Sequence, residues 1–246
     1  MTDTASKPFR VAALQTVSGP DVAANLVVAG ALAEEAAASG AQLAVLPEHF
    51  GILGLRDTDK LAARERPGHG PIQDFLAATS RRLGLWLVGG SVPLDAGVDD
   101  RVYNSSLVYA PTGELAARYD KIHLFGLELG AESFREARTI LPGNSVATVA
   151  MPFGRMGLSI CYDLRFPELY RAMGRVDAIL IPAAFTATTG AAHWDILMRA
   201  RAIENQCYVI APAQGGVHPG GRRTHGHSLI VDPWGTVVAE RTEDGP

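Results

Sequence analysis

Short apolar runs that alternate with helix-forming stretches set the strongest limit on what this chain can fold into. Residues 10–15 (Arg-Val-Ala-Ala-Leu-Gln), 43–46 (Leu-Ala-Val-Leu) and 85–92 (Leu-Trp-Leu-Val-Gly-Gly-Ser-Val) read as buried strands. Between the first two, Asp21 is placed to cap an Ala-rich helix over 22–38, which Gly40 ends. Pro71 opens a helix over 71–83 before the third run. The order β-α-β-α-β calls for parallel pairing with right-handed crossovers. Later the pattern changes. Pro111-Thr112-Gly113 joins strands at 102–110 and 115–119 as a hairpin, and 120–145 reads as irregular. Strands follow at 156–160, 178–181 and 207–211, with helices at 166–173 and 193–205. Closing strands at 226–231 and 236–239 flank the turn Asp232-Pro233-Trp234-Gly235. No repeat or linker interrupts the chain, so the expectation is one α/β domain over 1–246. Its two β-rich layers, with helices outside, make a four-layer α-β-β-α sandwich.

Composition narrows the function classes. With 47% hydrophobic and 20% charged residues, the 246-residue chain can bury a sizeable core. A net charge of -4 and short basic clusters argue against nucleic acid as a partner. No apolar run approaches the ~18 residues a bilayer needs. The start, MTDTASKPFR, lacks the apolar segment of a signal peptide. Only two cysteines, Cys161 and Cys207, are present, which fits a reducing, cytoplasmic setting. His123, His193, His218, His225 and His227 show no metal-ligand spacing, so neither metal nor cofactor is expected.

Three residues stand where strands end. Cys161 follows a buried strand and precedes a turn and helix. A side chain there is exposed at the top of the sheet, faces backbone N–H groups, and has its thiolate favoured. The competing reading is a small buried hydrophobe. Glu48 follows 43–46, where a half-buried carboxylate suits general-base work, although it could also be a solvated loop residue. Lys121, just after the strand at 115–119, could hold an oxyanion or simply be solvated. The chain has no Gly-x-Ser-x-Gly elbow and no His-Glu-x-x-His pair.

Taken together, Leu-Pro-Glu at 46–48, Asp-Lys-Ile-His-Leu-Phe at 120–125 and Cys-Tyr-Asp-Leu-Arg-Phe-Pro-Glu-Leu at 161–169 resemble the nitrilase (carbon–nitrogen hydrolase) superfamily, from Val11 to Glu240. That resemblance implies an α-β-β-α sandwich and subunits that pair through helices into a homodimer. It implies Cys161 as nucleophile, Glu48 as general base, Lys121 as oxyanion-stabilising cation and the Tyr162 N–H as second oxyanion donor. It also implies a second glutamate before a Pro-Gly pair; Glu136, ahead of Pro142-Gly143, matches best, with Glu128 and Glu132 nearby.

Ala-Phe-Thr at 184–186, Gln-Cys-Tyr at 206–208 and Ala-Gln-Gly-Gly-Val-His at 213–218 resemble the amidase branch that includes deaminated glutathione amidase and ω-amidase. The substrates of that branch are anionic small amides. Arg165, Arg222 and Arg223 are therefore candidate carboxylate binders. For Arg165 the competing role is a structural salt bridge with Glu168; for the other two it is a solvated loop. Phe185 and Thr186 are placed in a loop that could touch substrate, and Phe185 could equally be core. His193 and Trp194, at the expected helix start, read as structural, and Cys207 as buried and inert. The chain stops at Glu243-Asp244-Gly245-Pro246 in what reads as a turn, where family members usually continue with another strand and a tail that supports the dimer.

Overall fold

The computed structural model describes residues 9–130 and 132–246; residues 1–8, expected to hold no targeting segment, lie outside the described residues, as does the side chain of Glu132. In chain order the elements are β1 (Val11–Ala13), α1 (Val22–Ala38), β2 (Leu43–Val45), α2 (Asp59–Ala62), α3 (Pro71–Leu83), β3 (Trp86–Val88), β4 (Val92–Asp95), β5 (Val102–Tyr109), β6 (Leu115–Asp120), β7 (Gly126–Leu129), β8 (Glu132–Arg135), β9 (Ala147–Met151), β10 (Gly154–Leu158), α4 (Pro167–Ala172), β11 (Ala178–Leu180), α5 (Ala187–Asn205), β12 (Tyr208–Ala211), β13 (Gly215–Val217), β14 (Arg223–His225), β15 (Leu229–Val231) and β16 (Val237–Glu240).

Two six-stranded sheets form the centre. One runs β1-β2-β3-β5-β4 with β6 on the outside of β5; the other runs β16-β15-β12-β11-β10-β9. β1, β2 and β3 are parallel, as are β10, β11 and β12. One apolar cluster fills the space between the sheets, joining Leu43, Val45, Val88 and Val108 to Met156, Leu158 and Leu180. A second cluster joins Ala29 and Ala36 of α1 and Ile72 and Leu76 of α3 to Ala44, Leu87 and Leu107 of the first sheet. On the far side, Trp194 and Met198 of α5 are buried against the second sheet. Each such side chain contributes roughly 1.5–3 kcal/mol by leaving water, so these contacts hold the layers face to face. The four-layer sandwich is the architecture expected from the sequence.

The short elements α2, β9, β13 and β14 were not expected, and three expected stretches take another form. The run 85–92 is two strands, because Gly89 and Gly90 break it. Gly90 takes a left-handed φ of 25°, and a Cβ there would lie 1.9 Å from the Pro47 carbonyl oxygen, so only glycine lets the chain pass beside Glu48. The stretch 120–145 is not wholly irregular, since β7 and β8 form a hairpin there. Finally, α5 starts at Ala187, with Thr186 as its N-cap, instead of near His193. Asp21 and Pro71 act at their helix starts as expected.

Candidate active site

The two sheets are stitched at the ends of their parallel strands. Thr16 beyond β1 bridges Gln214 beyond β12, and within the second sheet Ala183 beyond β11 bridges Ala213 beyond β12. Side chains that follow β2, β6, β10 and β11 therefore converge on one edge.

Glu48 is buried more deeply than expected, at 1% exposure. Its Oε1 accepts hydrogen bonds from Asn104 Nδ2 (3.0 Å) on β5 and from Lys121 Nζ (2.9 Å) just after β6. Its Oε2 makes no hydrogen bond among the described residues. Lys121 is wholly buried, and its ammonium also donates to both oxygens of Glu136, at 3.0 and 2.8 Å. Glu136 sits on the 3-10 turn that follows the β7–β8 hairpin, and it also accepts from the Phe125 N–H at 2.7 Å. Glu128 instead pairs with Arg135 on the exposed surface. Burial alone would pull the Lys121 pKa down. Attraction from Glu136 and Glu48 outweighs that and holds it well above the usual lysine range.

Cys161 stands three residues beyond β10, on a left-handed backbone (φ 49°), and opens a 3-10 turn over Cys161–Arg165. Its N–H donates to the Pro182 carbonyl (2.9 Å). The expectation of an exposed, thiolate-favouring edge position needs correction. Cys161 is buried and packs in the core between the sheets. Burial, then the Glu48 carboxylate, pushes its thiol pKa well up; Lys121 and the Ala184 N–H act the other way. Burial acts first, and Lys121, which already serves two carboxylates, offsets it only in part, so the surroundings favour the neutral thiol.

Asp163 fixes the distance between these parts. Fully buried, it accepts from the Ile160 N–H (2.9 Å), the Tyr119 hydroxyl (2.8 Å) and the His123 N–H (3.0 Å), with His123 Nδ1 at 2.7 Å. It thereby ties the Cys161 turn to both sides of Lys121.

A cavity opens over the thiol, lined by Glu48, Glu136, Cys161, Tyr162, Arg165, Phe185, Thr186 and Arg222, with Phe125, Ala184 and Thr189. Lys121 lies behind this wall, bonded to Glu48 and Glu136, and Arg223 stays away from it; the other predicted site residues line it. Phe185 is buried and lines the cavity at once. Thr186 is no loop residue: its hydroxyl caps α5, accepting from the Thr189 N–H at 3.2 Å. Arg165 makes no salt bridge with Glu168 or any other acid among the described residues; its guanidinium meets His193 Nδ1 (3.2 Å) and the rings of Tyr162 and Phe185. Arg222 is half-buried at the cavity wall, not solvated, whereas Arg223 is exposed beside Asp244. Asn104, Phe125, Asp163 and Thr189 were not foreseen. Phe125 and Asp163 lay inside quoted motifs with no role given, and Asn104 left a signal of its own: Asn-Ser-Ser at 104–106 is a polar run inside an otherwise apolar strand.

Glu48, His49 and Glu136 bring potential metal-ligand atoms within 4.8 Å of one another. The Lys121 ammonium bonds to both carboxylates, so a dication there would meet a fixed positive charge. Of the other histidines, His218 is buried between the Ser18 carbonyl and Thr224, and His227 pairs with Glu240.

Residues 10–245 match the family described as carbon-nitrogen hydrolase. The chain belongs to the carbon–nitrogen hydrolase family. Among relatives of this carbon–nitrogen hydrolase, deaminated glutathione amidase of Synechocystis sp. is 43% identical over 96% of this chain and 89% of its own length. The solved structure of Saccharomyces cerevisiae Nit3, a member of branch 10 of the nitrilase superfamily, is 33% identical, with a TM-score of 0.87 over 97% of this chain and 87% of that one. The amidase of Nesterenkonia sp. AN1, solved as a glutamate-to-glutamine mutant with acrylamide added to its active-site cysteine, is 26% identical, with a TM-score of 0.80 over 97% and 91%. The expected fold and the expected amidase-type hydrolase agree with these findings. Among the described residues, no helix of this carbon–nitrogen hydrolase is long and apolar enough to cross a membrane.

Proposed function

We propose that this carbon–nitrogen hydrolase is a cysteine-dependent amidase for small carboxylate-bearing amides, with deaminated glutathione, cleaved to 2-oxoglutarate and cysteinylglycine, as its substrate. The observation that carries the reading is that Glu48 and Cys161 line one cavity, with the Lys121 ammonium 2.9 Å from Glu48. Relatives at about 40% identity that carry that amidase name support the substrate. The cysteine adduct of the Nesterenkonia amidase supports the nucleophile.

Glu48 takes the thiol proton on Oε2, the oxygen not held by Lys121 and Asn104, as sulfur attacks the amide carbon. The oxyanion forms against Lys121 and the Tyr162 N–H, and losing one such donor costs about 100–1,000-fold in rate. Glu48 then passes its proton to the leaving nitrogen, which departs and leaves a thioester on Cys161. Water, activated by Glu48, attacks the thioester and releases the acid. Glu136 holds Lys121 in place and keeps it charged through these steps. No step calls on a cofactor. We read the protein as one domain and as cytoplasmic, a compartment suited to two free cysteines at opposite sheet edges. We read it also as a homodimer through the outer helices, where Ile196 and Ile203 of α5 are exposed.

A panel of amides tests the substrate. Deaminated glutathione should give the highest kcat/KM, above 2-oxoglutaramate, an N-carbamoyl amine and an aliphatic amide. An aliphatic or N-carbamoyl compound as the best substrate would contradict the reading; 2-oxoglutaramate as the best would make the enzyme an ω-amidase.

A further inference from the structure

A fixed main chain does not by itself fix a glutamate's carboxylate, and Glu48 shows the difference. Its carbonyl oxygen accepts from Gln214 Nε2 (3.0 Å), and the next N–H, of His49, donates to Ser91 Oγ (2.9 Å). Several side-chain torsions still separate that backbone from the carboxyl group, and the last of them is broad. Either oxygen can be presented to the thiol unless donors hold one of them.

Lys121 alone does not choose. Its donors are shared between Glu48 Oε1 and both oxygens of Glu136. An ammonium is a compact point charge on a flexible stem, so it follows its acceptors. The second donor on Oε1 is the side-chain amide of Asn104, at 3.0 Å. Asn104 is buried in β5, opposite Pro93 of β4, and β6 flanks β5 on its other side. The ladder therefore fixes where this short side chain starts. The same residue also holds the cation, because the Asn104 carbonyl accepts from the Lys121 N–H at 2.9 Å. Base and cation are tied to one residue, the base by its side chain and the cation by its backbone.

With Lys121 and Asn104 both donating to it, Oε1 is occupied, and Oε2 is left for the proton. A neutral amide suits this place. It donates to Oε1 whether Oε2 is bare or protonated, so it resists the proton's arrival less than a second cation would. Its orientation is set as well, since only the amide nitrogen can donate to a carboxylate. Asn104 is not part of the wall of the cavity over the thiol, so it acts through Glu48 and not on substrate.

We propose that Asn104 is a positioning residue that selects Oε2 of Glu48 as the proton-carrying oxygen and keeps it turned to the cavity in both directions of transfer. The proton leaves the thiol for Oε2 as sulfur bonds to the amide carbon. It leaves Oε2 for the nitrogen as the carbon–nitrogen bond breaks. The proposal rests on the amidase reading above and deepens it.

The test is a ratio measured within each enzyme. kcat/KM is determined for deaminated glutathione and for the 4-nitrophenyl ester of the same acyl chain. The ester needs Glu48 once in acylation, to take the thiol proton, because 4-nitrophenolate leaves without one. The amide needs it twice. Asn104→Leu, which removes the donor at similar size, should lower the amide-to-ester ratio about 10–100-fold. On the amide its kcat should fall with KM nearly kept. Asn104→Gln, which keeps an amide donor, should recover part of the ratio. Because the ratio is internal to each variant, a loss of folded protein does not alter it. An unchanged ratio in Asn104→Leu, an equal loss on amide and ester, a change confined to KM, or a glutamine no better than leucine would overturn the proposal. If wild type cleaved the ester but no amide, the amidase reading itself would fall and take the proposal with it, a result seen without any variant.

Discussion

The two cysteines sit at opposite edges of one sheet and show what makes one of them chemical. Cys161 follows β10 and Cys207 precedes β12, and β10, β11 and β12 are parallel, so one thiol lies at the strand ends and the other at the strand starts. Both are buried, at 7% and 1% exposure. Burial raises both thiols, Cys207 to about 12 with Asp177 adding to it, and Cys161 well up with Glu48 adding to it. Neither burial nor a perturbed thiol separates them. The difference lies in the surroundings. Cys161 has a left-handed backbone that turns it towards a cavity, a carboxylate with a free oxygen, and a charged lysine held by two acids. Cys207 has an apolar core around it. On the proposed mechanism, a buried cysteine becomes a nucleophile through a fixed base and a fixed cation, not through a stabilised thiolate.

The largest effect that sharpens this contrast is at Cys161 itself. Cys161→Ala should reduce kcat by about 10⁴–10⁶-fold. Because this side chain packs in the core, the variant should also lose roughly 1 kcal/mol of stability, measured by thermal unfolding. Activity near wild type would end the contrast.

Next is Lys121→Ala, which should lower kcat about 100–1,000-fold with a smaller change in KM. It also leaves Glu48 and Glu136 buried without their shared cation, a cost of about 3–5 kcal/mol. Kinetics and unfolding must therefore be measured together. Lys121→Arg should rescue poorly, since a planar fork cannot replace a compact ammonium between two carboxylates. A pure KM effect with full rescue by arginine would instead make Lys121 a substrate-binding cation. The smallest effect is expected at Cys207: Cys207→Ala should leave kcat and KM unchanged and cost about 1 kcal/mol of stability. A kcat loss there would break the comparison from the other side.

Much of this was legible in the chain. The apolar runs ending at Glu48 and Cys161 located two of the three central residues, because a strand's end is fixed by the strand. The motif around Lys121 located the third, and Glu136 was the best match to the family pattern before geometry joined it to Lys121. What the sequence hid was depth and partnership. Glu48 and Lys121 are ordinary loop charges until β5 brings Asn104, and the β7–β8 hairpin brings Glu136, against them. That hairpin lies in a stretch with no strand-like alternation, so periodicity could not reveal it. The early start of α5 was masked by Thr186-Ala187-Thr188-Thr189-Gly190, residues with weak helix preference that the N-cap and burial override. Arg222, in a loop rich in Gly and Arg, gave no sign that its guanidinium would be walled in.

The most direct test of the central claim is to catch the acyl-enzyme. Wild-type enzyme is mixed with deaminated glutathione, quenched in acid during turnover, digested and analysed by mass spectrometry. A 2-oxoglutaryl thioester should appear on the peptide that holds Cys161, be absent from the peptide that holds Cys207, and not form in Cys161→Ala. Turnover with both cysteines unmodified in the quenched enzyme, or an acyl group on Cys207, would contradict the account.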